Sequence, residues 1–401
     1  MTAGVGVEHR ERRIALLGPY GFGNLGDAAI QDAAIAAIRA RRPGAEIHGI
    51  SLNPADTETR HGIPAHPLHP GSPTPPRGLR RAVREPAFGH HARRVLRGFD
   101  LLVISGGGQL DDSWGGPWRH PFALLRWCTI ARLAGTPVVF LSVGAGPVTH
   151  RLSRRFFRWA LARAWYRSYR DEESRTLARS LGLGDGPVVP DLAYGLAPTR
   201  PAPPSGVVGV SPMALFDPRA WPERDADAYR AYVEGLAGLV ERLLAAGRRV
   251  ELFATNVRMD RGVMDDLCER LAGRVGEARI DTVTALRDRL AGYDYVVASR
   301  YHAALLAHAV GTPVVALSYH PKVRALMAAA GQEAYCLDAR PLDPERVMAC
   351  VRALEARRAA EAGRLRDYAA GCRDAVERQF DQVFGPRPVA PASTVPAEMT
   401  G

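Results

Sequence analysis

Lysine is almost absent from this sequence. Lys322 is the single lysine among 53 basic residues, and every other basic residue is an arginine. Keeping one ammonium group in such a chain invites a functional interpretation, because a compact point charge and a planar guanidinium bind anions differently. The alternative is an ordinary surface lysine without a role, and the sequence alone leaves both interpretations open.

Long apolar runs and paired cysteines are also missing. No stretch approaches 18 uncharged apolar residues, and residues 1–13 contain no apolar signal-sequence core, so we expect a cytoplasmic protein without a membrane span. The five cysteines lie far apart and include no C-x-x-C pair, which argues against a disulfide framework or a zinc site.

Nucleic-acid-binding patterns are absent as well. The sequence contains no helix-turn-helix, zinc-finger or RNP motif, so we expect no nucleic-acid partner. We interpret the formal net charge of +11 as attraction to phosphates, anionic carbohydrate or a membrane surface.

Apolar strand patterns alternate with helical patterns in both halves of the chain. This alternation predicts an α/β protein with two doubly wound, Rossmann-like parallel sheets. The predicted domains are residues 1–197 and 206–342, joined by a proline-rich linker at 198–205. Residues 343–384 are predicted to be helices that pack back across the cleft, and 385–401 a disordered tail.

One region does not fit the alternation. Residues 54–76 are rich in proline, histidine and glycine and show neither a helical nor a strand period. The following segment, 79–99, carries six arginines. It fits either a helix facing an anionic membrane or lipid diphosphate, or a solvated helix face, and the solvated face is the preferred interpretation.

Glycine-rich turns follow two of the predicted strands. In the first, after Gly18, Gly23 and Asn24 are expected to let a ligand approach the backbone, and Asp27 either orients an acceptor hydroxyl or caps the next helix, the commoner role. The glycine spacing is not G-x-G-x-x-G, which argues against a nicotinamide cofactor.

The second turn, after the strand 100–105, contains Gly107, Gly108 and Asp112. It is followed by Trp118 and His120 in a loop whose aromatic and acidic side chains fit either sugar binding or a packed lid.

The turn at 299–302 carries the strongest chemical signal. Arg300 and His302 lie where a predicted strand passes into a helix, at the edge of a parallel sheet where ligands bind and helix N–H groups attract anions. Arg170 ends another strand in the same way, and Lys322 follows 20 residues after His302. We therefore expect an anionic ligand at this edge.

Five motifs in succession resemble those of polysaccharide pyruvyl transferases. They are GFGNLGD at 21–27, SGGGQLDD at 105–112, GAGP at 144–147, YRDEES at 169–174, and SRYH with SYHPK between 299 and 322. The resemblance implies a GT-B-like arrangement of the two domains, with the acceptor bound on the N-terminal side and the donor on the C-terminal side. It also implies transfer of the enolpyruvyl carbons of phosphoenolpyruvate onto two hydroxyls of a sugar, giving a cyclic ketal.

The resemblance assigns roles to particular residues. Arg170, Arg300 and His302 are expected to hold phosphoenolpyruvate, with His302 as the acid. Ala28 and Ala29 follow Asp27 where an acid is common in the family, and 54–97 matches no motif, so the acceptor stays open. It could be polymeric, a small sugar or a lipid-linked sugar, and the last would bring peripheral contact with a membrane.

The chemistry of the donor is consistent with these residues. Phosphoenolpyruvate carries a carboxylate and a phosphate, for which Arg170, Arg300 and Lys322 supply cations without a metal or a cofactor. Histidine exchanges protons near neutral pH, which suits His302 as the acid, although a helix cap is its alternative role. The full set of expected catalytic residues is His302, Asp27 and Asp112. The expected substrate-binding residues are Arg170, Arg300, Tyr301, Lys322, Gly23, Asn24, Gly107, Gly108, His120 and Trp118.

Two other functions compete with this one. A GT-B glycosyltransferase using a nucleotide sugar usually has a glutamate five residues before a Gly-x-Pro turn, where this chain has Leu306. A non-catalytic sugar-binding scaffold would not need Arg300, His302 and Lys322 together.

Overall fold

The computed structural model describes residues 12–69, 79–200, 203 and 205–385. All of the expected disordered tail except Gly385 lies outside the described residues, as do residues 70–76 of the proline-rich region.

The N-terminal half forms a six-stranded parallel sheet in the order β3-β2-β1-β4-β5-β6. Its strands are β1 (Arg13–Leu17), β2 (Glu46–Ser51), β3 (Ala65–Pro67), β4 (Leu101–Ser105), β5 (Val138–Val143) and β6 (Tyr166–Tyr169). Its helices are α1 (Leu25–Arg41), α2 (Pro54–His61), α3 (Leu79–Leu96), α4 (His120–Ala134), α5 (Arg151–Leu161) and α6 (Glu172–Ser180), followed by a 3₁₀ turn at Leu192–Gly195.

The C-terminal half repeats this plan in the order β12-β11-β10-β7-β8-β9. Its strands are β7 (Val207–Ser211), β8 (Arg249–Phe253), β9 (Gly276–Ala278), β10 (Tyr295–Ala298), β11 (Val314–Ser318) and β12 (Cys336–Asp338). Its helices are α7 (Ala226–Ala245), α8 (Val257–Arg270), α9 (Val283–Ala291), α10 (Tyr301–Val310), α11 (Pro321–Ala329) and α12 (Pro344–Phe384), with a 3₁₀ turn at Glu333–Tyr335. The prediction of two doubly wound parallel sheets is confirmed.

The central strands are buried along their length because helices cover both faces of each sheet. β4 and β5 have no exposed residue, and both read as nearly continuous apolar runs. In each sheet the strand order reverses once, between β1 and β4 and between β7 and β10. Ligands of such sheets bind outside the strand ends at this reversal, where the turns at 18–27, 106–112 and 299–302 lie.

The prediction that residues 54–76 lack regular structure is wrong for their described part, which contains α2 and β3. Asn53 caps α2 and Pro54 occupies its first position, while Gly62 ends it in a left-handed conformation. Thr57 is the only buried residue of this helix. The amphipathic period is therefore too weak to be recognised in the sequence.

The long helix α12 contacts both halves. Near its start Glu345 accepts a hydrogen bond from Arg242 of α7 at 2.7 Å. Near its end Arg41 of α1 lies 2.7 Å from both Glu377 and Asp381, and Gln379 donates to Ser142 Oγ at the β5 strand at 3.1 Å. One helix thus ties the second sheet to the first.

The buried His308 should make the stability of the folded protein depend on pH. Its ring is fully buried on α10, and neither ring nitrogen has a hydrogen-bond partner among the described residues. Burial lowers the pKa of His308 to about 3, so between about pH 3 and 6.5 the unfolded chain binds a proton that the folded chain does not, and stability falls on acidification. We expect this group to remove up to about 2 kcal/mol of unfolding free energy between pH 7 and 5.

Urea unfolding at the two pH values measures this loss. His308→Leu should reduce the difference between pH 7 and pH 5, while the control His90→Gln, at an exposed position, should keep it. An unchanged difference in His308→Leu would contradict the prediction.

Candidate active site

The first glycine-rich turn joins the two halves of the protein. The backbone N–H of Leu25 donates to Thr255 O at 2.7 Å, and Val257 N–H donates to Gly23 O at 3.2 Å. Asn24 and Asn256 form an antiparallel bridge between these bonds. The backbone around Gly23 and Asn24 is therefore hydrogen-bonded to residues at the start of α8. The sequence predicted instead that a ligand approaches this backbone.

The start of α1 differs from the expectation. The helix begins at Leu25, and its cap is Asn24, whose side chain accepts from Gly26 N–H at 3.1 Å. The same side chain donates to Asp27 Oδ2 at 2.8 Å. The expectation that Asp27 caps this helix is wrong, and Asp27 is a partly buried residue of the first turn.

Gly26 allows the halves to meet closely at His302. A Cβ atom at Gly26 would lie 2.2 to 2.5 Å from atoms of the His302 side chain, a separation that real Cβ atoms do not show. His302 is the second residue of α10, and no side chain caps that helix. The alternative role of His302 as a helix cap is therefore wrong, because its ring faces α1 of the other half.

A buried carboxylate, Asp191, lies between the imidazole and a guanidinium. Its Oδ2 atom is 3.8 Å from His302 Nε2 and 3.5 Å from Arg170 Nη1, and its Oδ1 accepts from Ala193 N–H at 3.0 Å. Asp191 is 1% exposed. Burial raises the pKa of Asp191, but the interactions with His302, Arg170 and the Ala193 N–H outweigh it and hold that pKa below its usual value. The carboxylate thus stays charged between the Arg170 guanidinium and the His302 imidazole.

Arg170 is fixed from several sides. Its Nε lies 3.3 Å from Asp171 Oδ2, and its guanidinium carbon lies 4.6 Å from the centre of the Tyr301 ring. A Cβ at Gly144 would lie 2.4 Å from the guanidinium, so the GAGP turn leaves room for this side chain. Tyr301 thus supports Arg170, and burial raises the pKa of the phenol so that it stays protonated.

Asp27 approaches His302 from the α1 side. Burial raises the pKa of Asp27, and the neighbouring His302 opposes this shift. A Cβ at Gly107, which has a φ of +69°, would lie 4.0 Å from Asp27 Oδ1. Asp27 and Asp191 therefore provide the imidazole with two acidic neighbours, one with a raised and one with a lowered pKa.

Arg300 was expected to bind an anion through its guanidinium group, but that group already has a carboxylate partner. Its Nε and Nη2 both donate to the carboxylate of Asp260, the latter at 2.5 Å to Oδ1. Asp260 is fully buried and its Oδ1 also accepts from Ala214 N–H at 3.1 Å. Two of the guanidinium nitrogens are thus engaged within the C-terminal half, and a ligand could meet Arg300 chiefly through Nη1.

Lys322 lies in the first turn of α11. Its backbone N–H donates to His320 Nδ1 at 3.2 Å, and its Nζ is 5.5 Å from the centre of the Tyr319 ring. Among the described residues Lys322 has no ion-pair partner. Burial lowers the pKa of His320, the charges of Lys322 and Arg170 lower it further, and Asp111 opposes them. Lys322, Arg170 and Asp111 are thus each close enough to His320 to affect its pKa.

A cavity of about 260 Å³ is lined in part by Pro321, the residue before this lysine. Tyr319, His320 and Phe216 contribute to its wall together with Arg324 and Arg340. Both arginines have acidic partners, Asp338 and Asp225 respectively. The free ammonium of Lys322 thus differs from the paired guanidinium groups beside it.

The turn after β4 holds the remaining expected residues. Asp112 is buried, with Oδ1 accepting from Thr149 N–H and Oδ2 from His150 N–H, both at 3.0 Å. Burial raises the pKa of Asp112, but these bonds outweigh it and lower the pKa. Because its oxygens are occupied by the 147–150 loop, we assign Asp112 to holding that loop and do not carry its expected catalytic role further.

His120 and Trp118 are also engaged locally. His120 Nε2 lies 2.8 Å from Gln109 Oε1, and burial lowers the pKa of His120 to about 3. Trp118 packs edge-on against Phe122 and Phe156 while 46% of its surface remains exposed. Gly108 is exposed, with open space where a Cβ would stand. This segment forms a packed loop with one exposed aromatic ring and one open glycine.

Two structural absences concern the described residues. Within residues 12–69, 79–200, 203 and 205–385, no cluster of three or more histidine, cysteine, aspartate or glutamate side chains is placed to hold a metal ion. Over the same ranges, no helix is both long enough and apolar enough to cross a membrane.

Solved structures define the fold class. HepE from Anabaena in complex with UDP and glucose matches with a TM-score of 0.59 and 14% identity, covering 94% of this chain and 99% of that chain. The S. aureus MnaA–UDP structure matches at 0.60 and 10%, covering 93% and 96%. UDP-GlcNAc 2-epimerase from Neisseria meningitidis bound to UDP-GlcNAc matches at 0.60 and 10%, covering 93% and 100%. The chain is an α/β protein of two Rossmann-like domains in a GT-B-like arrangement, and at these identities the likeness shows the fold alone.

The sequence comparison is more specific than the fold. The pattern of the polysaccharide pyruvyl transferases matches residues 24–321, and the chain belongs to that family. No curated protein matches the chain in sequence.

Sequence reasoning missed Asp191 and Asp260, the carboxylates that hold His302, Arg170 and Arg300. Asp260 has no distinguishing signal, since it resembles any acid in the first turn of a helix. Asp191 follows Pro190 directly after a strand-like run, which places it at a sheet edge but does not identify its partners.

The close approach at Gly26 yields a stability prediction. Gly26→Ala forces the new methyl group into the His302 ring, and overpacking of this kind costs about 1–3 kcal/mol of unfolding free energy. Urea unfolding measures the cost. The control Gly44→Ala, at a glycine with no atom within 4 Å of a Cβ, should stay within about 0.5 kcal/mol of the wild type. Equal stability of the two variants would contradict the placement of His302.

Proposed function

We propose that this protein transfers the enolpyruvyl carbons of phosphoenolpyruvate onto two hydroxyls of a sugar acceptor and releases phosphate. The observation that carries the proposal is the His302 imidazole between Asp27 and Asp191, with Arg170 on the same Asp191 carboxylate. An acid beside a fixed cation, at the junction of two domains, suits protonation of an anionic substrate. Family membership supports the reaction class.

The donor requires two separate anion sites. Arg170 supplies one cation, and Lys322, which lacks an ion pair among the described residues, supplies another. The start of α10 adds N–H groups without a side-chain cap, and such groups attract phosphate. In this proposal Arg300 chiefly positions the turn through Asp260, and contributes its remaining N–H groups to the donor.

The chemistry then follows from the imidazole and its acidic neighbours. His302 protonates the methylene carbon of the donor, which makes the adjacent carbon electrophilic, and one acceptor hydroxyl adds there and loses its proton to a base. The second hydroxyl displaces phosphate from the same carbon, and its proton leaves with the phosphate or the base. Asp27 is our choice for the base, because a raised pKa brings a carboxyl closer to neutral pH.

The sides of the cleft follow from the same assignment. We propose that the donor lies against the C-terminal half, at α10 and α11, and that the acceptor enters from the N-terminal half, near Gly107, Gly108 and Trp118. The rival function, a glycosyltransferase using a nucleotide sugar, draws support from the fold alone, since the similar structures contain UDP.

Phosphoenolpyruvate without added metal should raise the melting temperature, because a ligand that binds the folded state alone stabilises it by mass action. With a cell-wall sugar fraction, phosphate release should accompany a new ketal methyl signal by NMR.

His302→Gln should keep the melting shift but lose about 10²- to 10⁴-fold in turnover, the usual contribution of a positioned acid. A larger shift with UDP-GlcNAc than with phosphoenolpyruvate would favour the glycosyltransferase.

Asp191→Asn tests the shared carboxylate. The amide keeps the shape but loses the charge that holds both Arg170 and His302, so donor affinity and turnover should both fall. We expect about a tenfold or larger loss of affinity, the scale for losing a hydrogen bond to a charged group. The control is Asp185→Asn, because Asp185 pairs with Arg179 at the exposed surface. Wild-type donor affinity in Asp191→Asn, measured by calorimetry, would remove Asp191 from the site.

A further inference from the structure

The positive charge of the chain is concentrated in one segment. Residues 59–170 contain 18 arginines and four acidic residues, a net charge of +14 that exceeds the +11 of the whole chain. No aspartate or glutamate occurs between Asp112 and Asp171. Donor binding accounts for one arginine of this segment, Arg170, so the excess needs another explanation.

Helix α5 presents part of this charge on one face. Arg151, Arg155 and Arg158 are exposed and lie within a narrow arc of the helix, while Phe156 and Phe157 are buried on the opposite side. None of these three arginines has an ion-pair partner among the described residues. Several other exposed arginines of the described structure are instead paired with acids, as Arg261 and Arg289 are. The α5 arginines are therefore available to an external anion.

Large apolar side chains accompany these arginines. Trp159 on α5 is 55% exposed and Leu133 at the end of the adjacent α4 is 72% exposed. Trp165, directly before β6, is 46% exposed. We call this surface the α4–α5 face and define it by Arg155, Arg158, Trp159, Leu133 and Trp165. Surfaces that bind at the headgroup layer of a membrane typically combine exposed tryptophan and arginine side chains.

We propose that the α4–α5 face docks on an anionic lipid surface. Arginines gain energy near acidic headgroups, and the indole and leucine side chains enter the interfacial layer. A second copy of this chain fits less well, because a two-fold contact would set the same arginines against one another. A soluble polyanion would engage the arginines but would leave Trp159 and Leu133 in water.

The experiment is sedimentation with lipid vesicles at about 0.1 M salt, where surface charges still act over roughly 10 Å. The full chain should bind vesicles containing phosphatidylglycerol and not vesicles of phosphatidylcholine alone. Arg155→Gln with Arg158→Gln should weaken binding about 30-fold, since each arginine near an anionic surface contributes about fivefold. Trp159→Gln should weaken it separately.

A matched control removes equal charge elsewhere. Arg346 and Arg352 are exposed on α12, so Arg346→Gln with Arg352→Gln should bind vesicles as the wild type does. Urea unfolding should first show wild-type stability for each variant.

Three outcomes would overturn the proposal. They are no binding to anionic vesicles, equal weakening in both double variants, and binding to heparin that depends on Arg155 and Arg158 but not on Trp159, without vesicle binding. The last would assign the face to a soluble polyanion. None of these outcomes bears on the transfer reaction, which is tested by phosphoenolpyruvate.

Discussion

The arrangement of the site depends on one buried carboxylate. Asp191 is almost completely excluded from water and lies between a guanidinium of its own half and an imidazole of the other. A buried charge is tolerated when opposite charges and hydrogen bonds surround it, and becomes costly when one partner moves away. The positions of Arg170 and His302 are therefore coupled, because a shift of either leaves Asp191 uncompensated. The cost of separating them favours a closed junction between the halves.

The glycines around this carboxylate serve close packing more than ligand contact. Gly26 admits the His302 ring, and Gly144 admits the guanidinium of Arg170. Such turns look the same in a sequence whether a ligand or another part of the protein approaches, because both require a missing Cβ. Sequence reasoning could place these turns at the cleft. It could not tell that the neighbour of Gly26 is a residue some 276 positions later in the chain.

Strands and edge residues were the predictable part of this protein. The buried strands are apolar runs, and parallel sheets bring their carboxyl ends to one edge, so Arg170, Arg300 and His302 could be assigned to that edge from local pattern alone. The pairing of Arg300 with Asp260 could not, because an acid in the first turn of α8 reads as a favourable helix charge. Helix α2 could not be predicted either, because its sequence is polar and Thr57 is its only buried residue. What failed were contacts between segments distant in sequence, and one helix without an apolar face.

In this chain, most of the excess positive charge lies on residues other than those of the proposed donor site. The C-terminal half, which we assign to the donor, contains the one lysine, and its Arg300, Arg324 and Arg340 are paired with Asp260, Asp338 and Asp225 respectively. Pairing makes a guanidinium rigid and specific but reduces its long-range field, whereas the unpaired arginines of the α4–α5 face retain theirs. The +11 of the whole chain therefore cannot be taken as a measure of donor binding. Anion recognition in the cleft depends on a few fixed cations, while the excess charge lies on residues 59–170, which include a different surface of the N-terminal half.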